Sequence, residues 1–138
     1  MDDWTKALMA DLRATGNVSS GPLAGLPHLI MTSTGAKTGE PREAVLSFVR
    51  DGEKYVVAGT AGGSPTDPSW VHNVAANPEV KVEVQRRTLQ ARAEIVSDDA
   101  TYRRLWDALV ESRPDFAAYP AKAGRKIPVI TLDPIATE

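Results

Sequence analysis

Thr32-Ser33-Thr34-Gly35-Ala36-Lys37-Thr38-Gly39-Glu40-Pro41-Arg42 joins two apolar runs and gathers glycines, hydroxyls and two cations in a turn that cannot be core. Glycines let backbone N–H groups converge on an anion. Lys37 and Arg42 add charge, and the Arg42 guanidinium can fork onto a phosphate or a carboxylate. A Walker A loop needs Gly immediately before the Lys and a helix after it, whereas Ala36 stands there and a strand pattern follows. The turn is either an anion cradle or a solvated hairpin with incidental charge.

Gly59-Thr60-Ala61-Gly62-Gly63-Ser64-Pro65 closes another apolar run. It lacks the spacing of a dinucleotide fingerprint and leads to no immediate helix. Such a cluster is a plain loop or a place where backbone approaches a flat ligand, and Thr60 offers a hydroxyl at the strand end. Trp70 and Asn73 stand one turn apart on the helix predicted beyond it. Read alone, Trp70 belongs to the core and His72 to the surface or to a hydrogen bond. No Ser-His-Asp spacing and no HExxH run is present. Chemistry here would belong to a cofactor.

The elements that must position these residues follow from periodicity. Trp4, Leu8, Met9 and Leu12 form one stripe of an amphipathic helix over the first fifteen residues, ended by the Gly- and Pro-rich stretch 16–27. That stripe packs on the domain or touches a membrane or an apolar substrate. Short strands are predicted at His28–Ser33, Ala44–Arg50, Lys54–Gly59, Val80–Val84, Leu89–Ile95 and Ile127–Leu132, with hairpin turns at Asp51-Gly52 and Arg86-Arg87. A helix capped by Asp67 should run to about Ala76, where Asn77-Pro78 stops it. Another should start at Ser97-Asp98-Asp99 and bury Tyr102, Leu105, Trp106, Leu109 and Val110 until Arg113-Pro114 ends it. About six antiparallel strands with flanking helices make a mainly β, α+β chain that curls into a small barrel.

Composition narrows the function classes. With 138 residues the chain is one domain's worth, and a net charge of −2 argues against a general nucleic-acid binder. The absence of cysteine removes disulfides and thiolate metal sites, and two histidines build no His-rich one, so no metal is expected. No run spans a membrane and Met1-Asp2-Asp3 is acidic, which reads as cytoplasmic, at most peripheral to the inner face of the cell membrane.

Taken together, the Thr32–Arg42 segment, Asp51-Gly52-Glu53-Lys54-Tyr55-Val56-Val57, Gly62-Gly63 with Pro68-Ser69-Trp70-Val71-His72-Asn73, and Ala76-Asn77-Pro78-Glu79-Val80 resemble the deazaflavin (F420)-dependent nitroreductase family of actinobacteria. The resemblance spans roughly residues 28–133 and implies a split β-barrel related to flavin mononucleotide-binding oxidases. On that pattern residues 1–27 are a helix and connector, and residues 28–138 the cofactor-binding barrel. The resemblance assigns Lys37, Thr38 and Arg42 to the phosphate and oligoglutamate tail. Glu43, Ala44, Val45, Leu46 and Ser47 fall on the strand beside the deazaflavin, Ala58, Gly59, Thr60 and Ala61 on the loop beside its ring. Ser69, Trp70 and Asn73 fall on the helix closing the pocket. Thr60 stands where a serine is common, and Tyr119 is the one tyrosine left in a stretch that carries several in some members.

The expected activity is hydride transfer from reduced F420 to an electron-poor small molecule, a quinone or an α,β-unsaturated carbonyl such as an enone or lactone. Thr60 would steady charge on the acceptor. Tyr119 either borders the acceptor or merely anchors its segment with Phe116. Two other readings stay open: a non-catalytic F420 carrier and a flavin mononucleotide enzyme on the same fold. The chain would act as a monomer or homodimer, with weak membrane contact through the N-terminal helix.

Overall fold

Alternating β-branched and polar residues build a single antiparallel sheet of seven strands, one more than expected. The computed structural model describes residues 2–19 and 21–137. The strands are β1 His28–Thr34, β2 Pro41–Ser47, β3 Val49–Asp51, β4 Lys54–Ala58, β5 Glu79–Val84, β6 Arg87–Ile95 and β7 Val129–Thr137. Their order across the sheet is β2-β1-β5-β6-β7-β4-β3. Among the described residues four α-helices flank it: α1 Asp3–Thr15, α2 Ser69–Ala76, α3 Asp99–Ser112 and α4 Tyr119–Ala123, with short 3-10 turns at Ala61–Gly63 and Pro114–Ala118.

The extra strand comes from Phe48. The run Ala44–Arg50, expected as one strand, breaks there: β2 pairs with β1, whereas β3 pairs with β4. Strands separated by one residue therefore lie at opposite edges of the sheet, and the sheet must roll until those edges meet. Closure is covalent, since among the described residues no ladder joins β2 to β3 or β4. Among the described residues the outer backbone edge of β2 has no strand partner. Phe48 itself is buried, its ring edge-on to Tyr55 at 5.2 Å.

Four smaller expectations are corrected. The β3–β4 turn falls on Gly52-Glu53 rather than Asp51-Gly52, because Asp51 still pairs with Lys54 in the ladder. The β5–β6 turn falls on Gln85-Arg86 rather than Arg86-Arg87; both hold positive φ (51° and 63°), the twist a two-residue hairpin requires, while Arg87 enters the ladder opposite Val84. Helix α2 begins at Ser69 with Pro68, not Asp67, as its cap, because the Asp67 carboxylate is taken by Arg125 at 2.7 Å. The last strand starts at Val129, after Pro128, whose carbonyl accepts the Gly59 N–H at 2.9 Å.

Both faces of the central strands are buried. Leu29, Met31, Val57 and Leu132 fill the barrel interior. Val56, Leu105, Leu109 and Phe116 form a second layer under α3, while Met9, Leu12 and Ile30 form a third under α1. Arg13 also ties α1 to Glu43 and Glu83, but those side chains are 22–42% exposed and such pairs contribute ~1 kcal/mol or less each. Burying Met9 and Leu12 contributes ~1.5–3 kcal/mol apiece, so apolar packing holds the helix. No helix among the described residues is long and apolar enough to cross a membrane.

Arg125 fixes the glycine-rich turn after β4. Its guanidinium donates to the carbonyls of Gly59 (3.2 Å), Thr60 (3.2 Å) and Ser64 (3.0 Å) besides Asp67. Gly59 leaves no room for a side chain: an added Cβ would lie 2.8 Å from Val71 Cγ2 and 2.9 Å from Pro128 Cγ. Gly59→Ala should therefore cost ~1–3 kcal/mol through overpacking, and Arg125→Met ~2 kcal/mol through lost charge-assisted hydrogen bonds. Urea denaturation midpoints check both, and an unchanged midpoint contradicts the corresponding role.

Candidate active site

Where the sheet fails to close, a cavity of about 290 Å³ opens between β2 and the end of β4. Val45, Leu46 and Ser47 contribute one wall, Ala58, Thr60 and Gly62 another. Helix α1 covers it with Trp4 and Leu8, and the Pro114–Ala118 turn and the start of α4 add Phe116 and Tyr119. The Thr60 hydroxyl makes no hydrogen bond among the described residues, so it is available to a ligand. The Tyr119 ring packs on Phe116, centroids 5.6 Å apart, and Tyr119 also borders the cavity.

A continuous polar chain runs along this wall. The Leu26 carbonyl can only accept, so at 2.8 Å it fixes the proton on His28 Nδ1. His28 Nε2 is left to accept the Ser47 hydroxyl at 3.0 Å. Ser47 Oγ in turn accepts from Arg113 Nη1 at 2.6 Å. Arg113 grips Asp115 through Nε (2.9 Å) and Nη2 (2.8 Å), and Asp115 also accepts the Tyr119 hydroxyl at 3.3 Å. Burial is the largest influence on His28 and pushes its pKa down. The bond to Leu26 opposes this and the charge of Arg113 adds to it, so the ring is neutral at physiological pH. Burial likewise raises the Tyr119 phenol, assisted by Asp115, whose own carboxyl is lowered chiefly by Arg113.

Sequence reasoning did not single out this chain. His28 registered as the start of a strand and as one of two histidines too few for a metal site, and Arg113 only as the end of a helix. The one available signal was local, an arginine two residues before Asp115 beside a helix-ending proline. The partners in space are 19 and 66 residues apart along the chain, beyond any periodicity.

At the far end of β2 lies the cation-bearing turn. It is a compact hairpin: Gly35 N–H reaches the Glu40 carbonyl at 2.8 Å, and Gly39 N–H reaches Gly35 at 2.9 Å. Thr38 Oγ1 accepts from Glu40 N (3.2 Å) and Arg42 Nη2 (3.4 Å). Lys37 and Arg42 are exposed, and neither joins an ion pair among the described residues. Nearby Glu43 is engaged by Arg13. On α2, Asn73 is buried and serves the turn, accepting the Ala36 N–H at 2.9 Å and donating to Ser33 Oγ at 3.4 Å. Trp70 lies in the barrel core and Ser69 is exposed at the first helical position. Ala44 packs against the barrel core, Gly59 lies under Val71, and Ala61 is exposed at φ 46°. From Arg42 to Ser47 the unpaired strand edge runs about 17 Å, linking turn and cavity.

The chain matches the F420H(2)-dependent quinone reductase family over residues 4–134. It is 37% identical over 108 residues to an F420H(2)-dependent quinone reductase of Mycobacterium tuberculosis, covering 77% of this chain and 72% of that protein. Among solved structures it resembles an F420-H2 dependent reductase (TM-score 0.71, 35% identity), covering 78% of this chain and 94% of the other. It also resembles a protein described as a domain-swapped dimer (TM-score 0.73, 32% identity), with 95% and 98% covered. A split sheet with a cavity at its seam, matched along nearly its whole length, places this chain in the F420H2-dependent quinone reductase family.

Proposed function

We propose that this chain reduces a quinone with reduced coenzyme F420. The observation carrying the reading is the unpaired edge of β2, which has the Lys37 and Arg42 turn at one end and the Thr60 and Tyr119 cavity at the other. The residues fit the cofactor's chemistry: a long anionic chain needs exposed cations in a turn, and a flat ring needs close, unpaired backbone. When bound, the deazaflavin supplies two electrons as a hydride.

Lys37, Thr38 and Arg42 would hold the anionic tail, while Asn73 positions their turn. The backbone of Glu43, Ala44, Val45, Leu46 and Ser47 would line one side of the ring, and Ala58, Gly59, Thr60 and Ala61 the other. Ser69 and Trp70 belong to the helix that backs this arrangement. The apolar surfaces of Leu8, Leu23 and Phe116 suit a flat, weakly polar acceptor and exclude water from it. The Thr60 hydroxyl would meet an acceptor oxygen. The Tyr119 phenol borders the same cavity, and its single hydrogen would reach an acceptor only by exchanging the bond it now makes to Asp115.

Lys37→Ala and Arg42→Ala should each weaken F420 binding by ~1–3 kcal/mol, with a loss that shrinks as salt rises. Fluorescence titration of the cofactor measures this, and unchanged affinities would put the tail elsewhere. Thr60→Val should lower turnover with a quinone while cofactor affinity holds; the reverse pattern would make Thr60 a binding residue only. Tyr119→Phe should slow turnover about tenfold or more if the hydroxyl acts on the acceptor, and wild-type turnover would leave it a packing role.

A further inference from the structure

Arg113 is the one permanent cation among the described residues lining the cavity, and the activity as read above does not use it. Of its five N–H hydrogens, three are committed to Asp115 and Ser47; the other two, on Nη1 and Nη2, have no partner among the described residues. Its ion pair is also asymmetric. The Arg113 side chain is 17% exposed and that of Asp115 48%, so the cation faces inward and the carboxylate faces water.

The guanidinium is locked from three directions. Asp115 grips it with both oxygens, Ser47 accepts from a third hydrogen, and the Phe116 ring lies 4.9 Å beneath it. Ser47 presents a lone pair to Arg113 because its own hydrogen is spent on His28, whose acceptor nitrogen is fixed by Leu26. The other titratable groups at this wall carry no competing positive charge: His28 is neutral and Tyr119 is a protonated phenol. A donor already oriented and partly desolvated stabilises developing negative charge without reorganising during the reaction.

We propose that Arg113 is a catalytic residue of this cavity, receiving the negative charge that arises on the acceptor oxygen as hydride is taken up. The inference rests on reading the cavity as the acceptor site. A quinone that accepts a hydride gains two electrons and one hydrogen and becomes a hydroquinone monoanion. One proton from water completes the hydroquinone, while the second hydrogen lost by the reduced cofactor leaves as a proton. The monoanion's oxygen is the group that the two unpartnered N–H hydrogens suit.

The test compares two probes that differ in charge: hydroxynaphthoquinone, an enolate anion at neutral pH, and neutral naphthoquinone. Binding of each is read from tryptophan fluorescence, with oxidised F420 bound and without it. The wild-type protein should prefer the enolate. Arg113→Gln should lose about tenfold in enolate affinity and keep its affinity for the neutral quinone, and Arg113→Lys should recover part of the loss. Turnover of the Gln variant should fall through kcat, with the KM for the cofactor unchanged. Undiminished enolate binding in Arg113→Gln, with neutral quinone still bound, overturns the proposal and leaves the cavity reading standing. Wild-type protein that binds neither quinone overturns the cavity reading too. Should the Gln variant not fold, wild-type protein without preference for the enolate is sufficient to overturn the proposal.

Discussion

One residue, Phe48, connects strands that belong to opposite edges of the sheet, and the architecture of the site depends on that constraint. A backbone cannot bridge the full width of a flat seven-stranded sheet with a single residue, so the sheet rolls until β2 and β3 adjoin. The strands on either side of the bend do not pair with each other, so the barrel closes in connectivity and stays open in hydrogen bonding. The open seam is what a ligand can use. It presents unpaired backbone along β2 and a cavity where β2 turns away from the end of β4.

Two devices then furnish the seam with opposite characters. At the start of β2, charge is left exposed: Arg13 engages Glu43 and Glu83, while Lys37 and Arg42 join no ion pair among the described residues and face water. At the end of β2, charge is drawn inward and organised by hydrogen bonds running from Leu26 through His28, Ser47 and Arg113 to Asp115. Exposed cations at one end and an apolar, hydrogen-bonded cavity at the other make a gradient along one strand.

Much of this was legible in the sequence because it is local. Alternation in Val80–Val84 and Leu89–Ile95, the hairpin signal at Asp51-Gly52 (one residue early) and the helix start at Ser97-Asp98-Asp99 each announce their element within a few residues. The anion-type turn and the glycine-rich loop were visible as composition. The bend at Phe48 was not, since Ala44–Arg50 reads as one continuous run and only the partners of its two halves differ. The role of Asp67 was misread for the same reason: a cap is a local choice, whereas Arg125, 58 residues away, offers a stronger partner. Trp70 and Asn73 share a helix face as expected, yet burial turns one into core and the other into a brace for the turn. The polar chain at the cavity wall joins residues distant in sequence, and only the assembled fold brings them into contact.

The cavity draws its walls from both ends of the chain, from Trp4 in the first helix to Tyr119 near the last strand. No partly assembled state contains it, because removing either α1 or the Pro114–Ala118 turn removes a wall. Any molecule that fills it is therefore linked thermodynamically to the whole cooperative unit and not to one segment. At a free concentration about a hundredfold above its Kd, such a ligand adds ~2.7 kcal/mol to the unfolding free energy, a large fraction of what a domain of this size possesses. Supply of that ligand would then bear on how long the folded polypeptide survives.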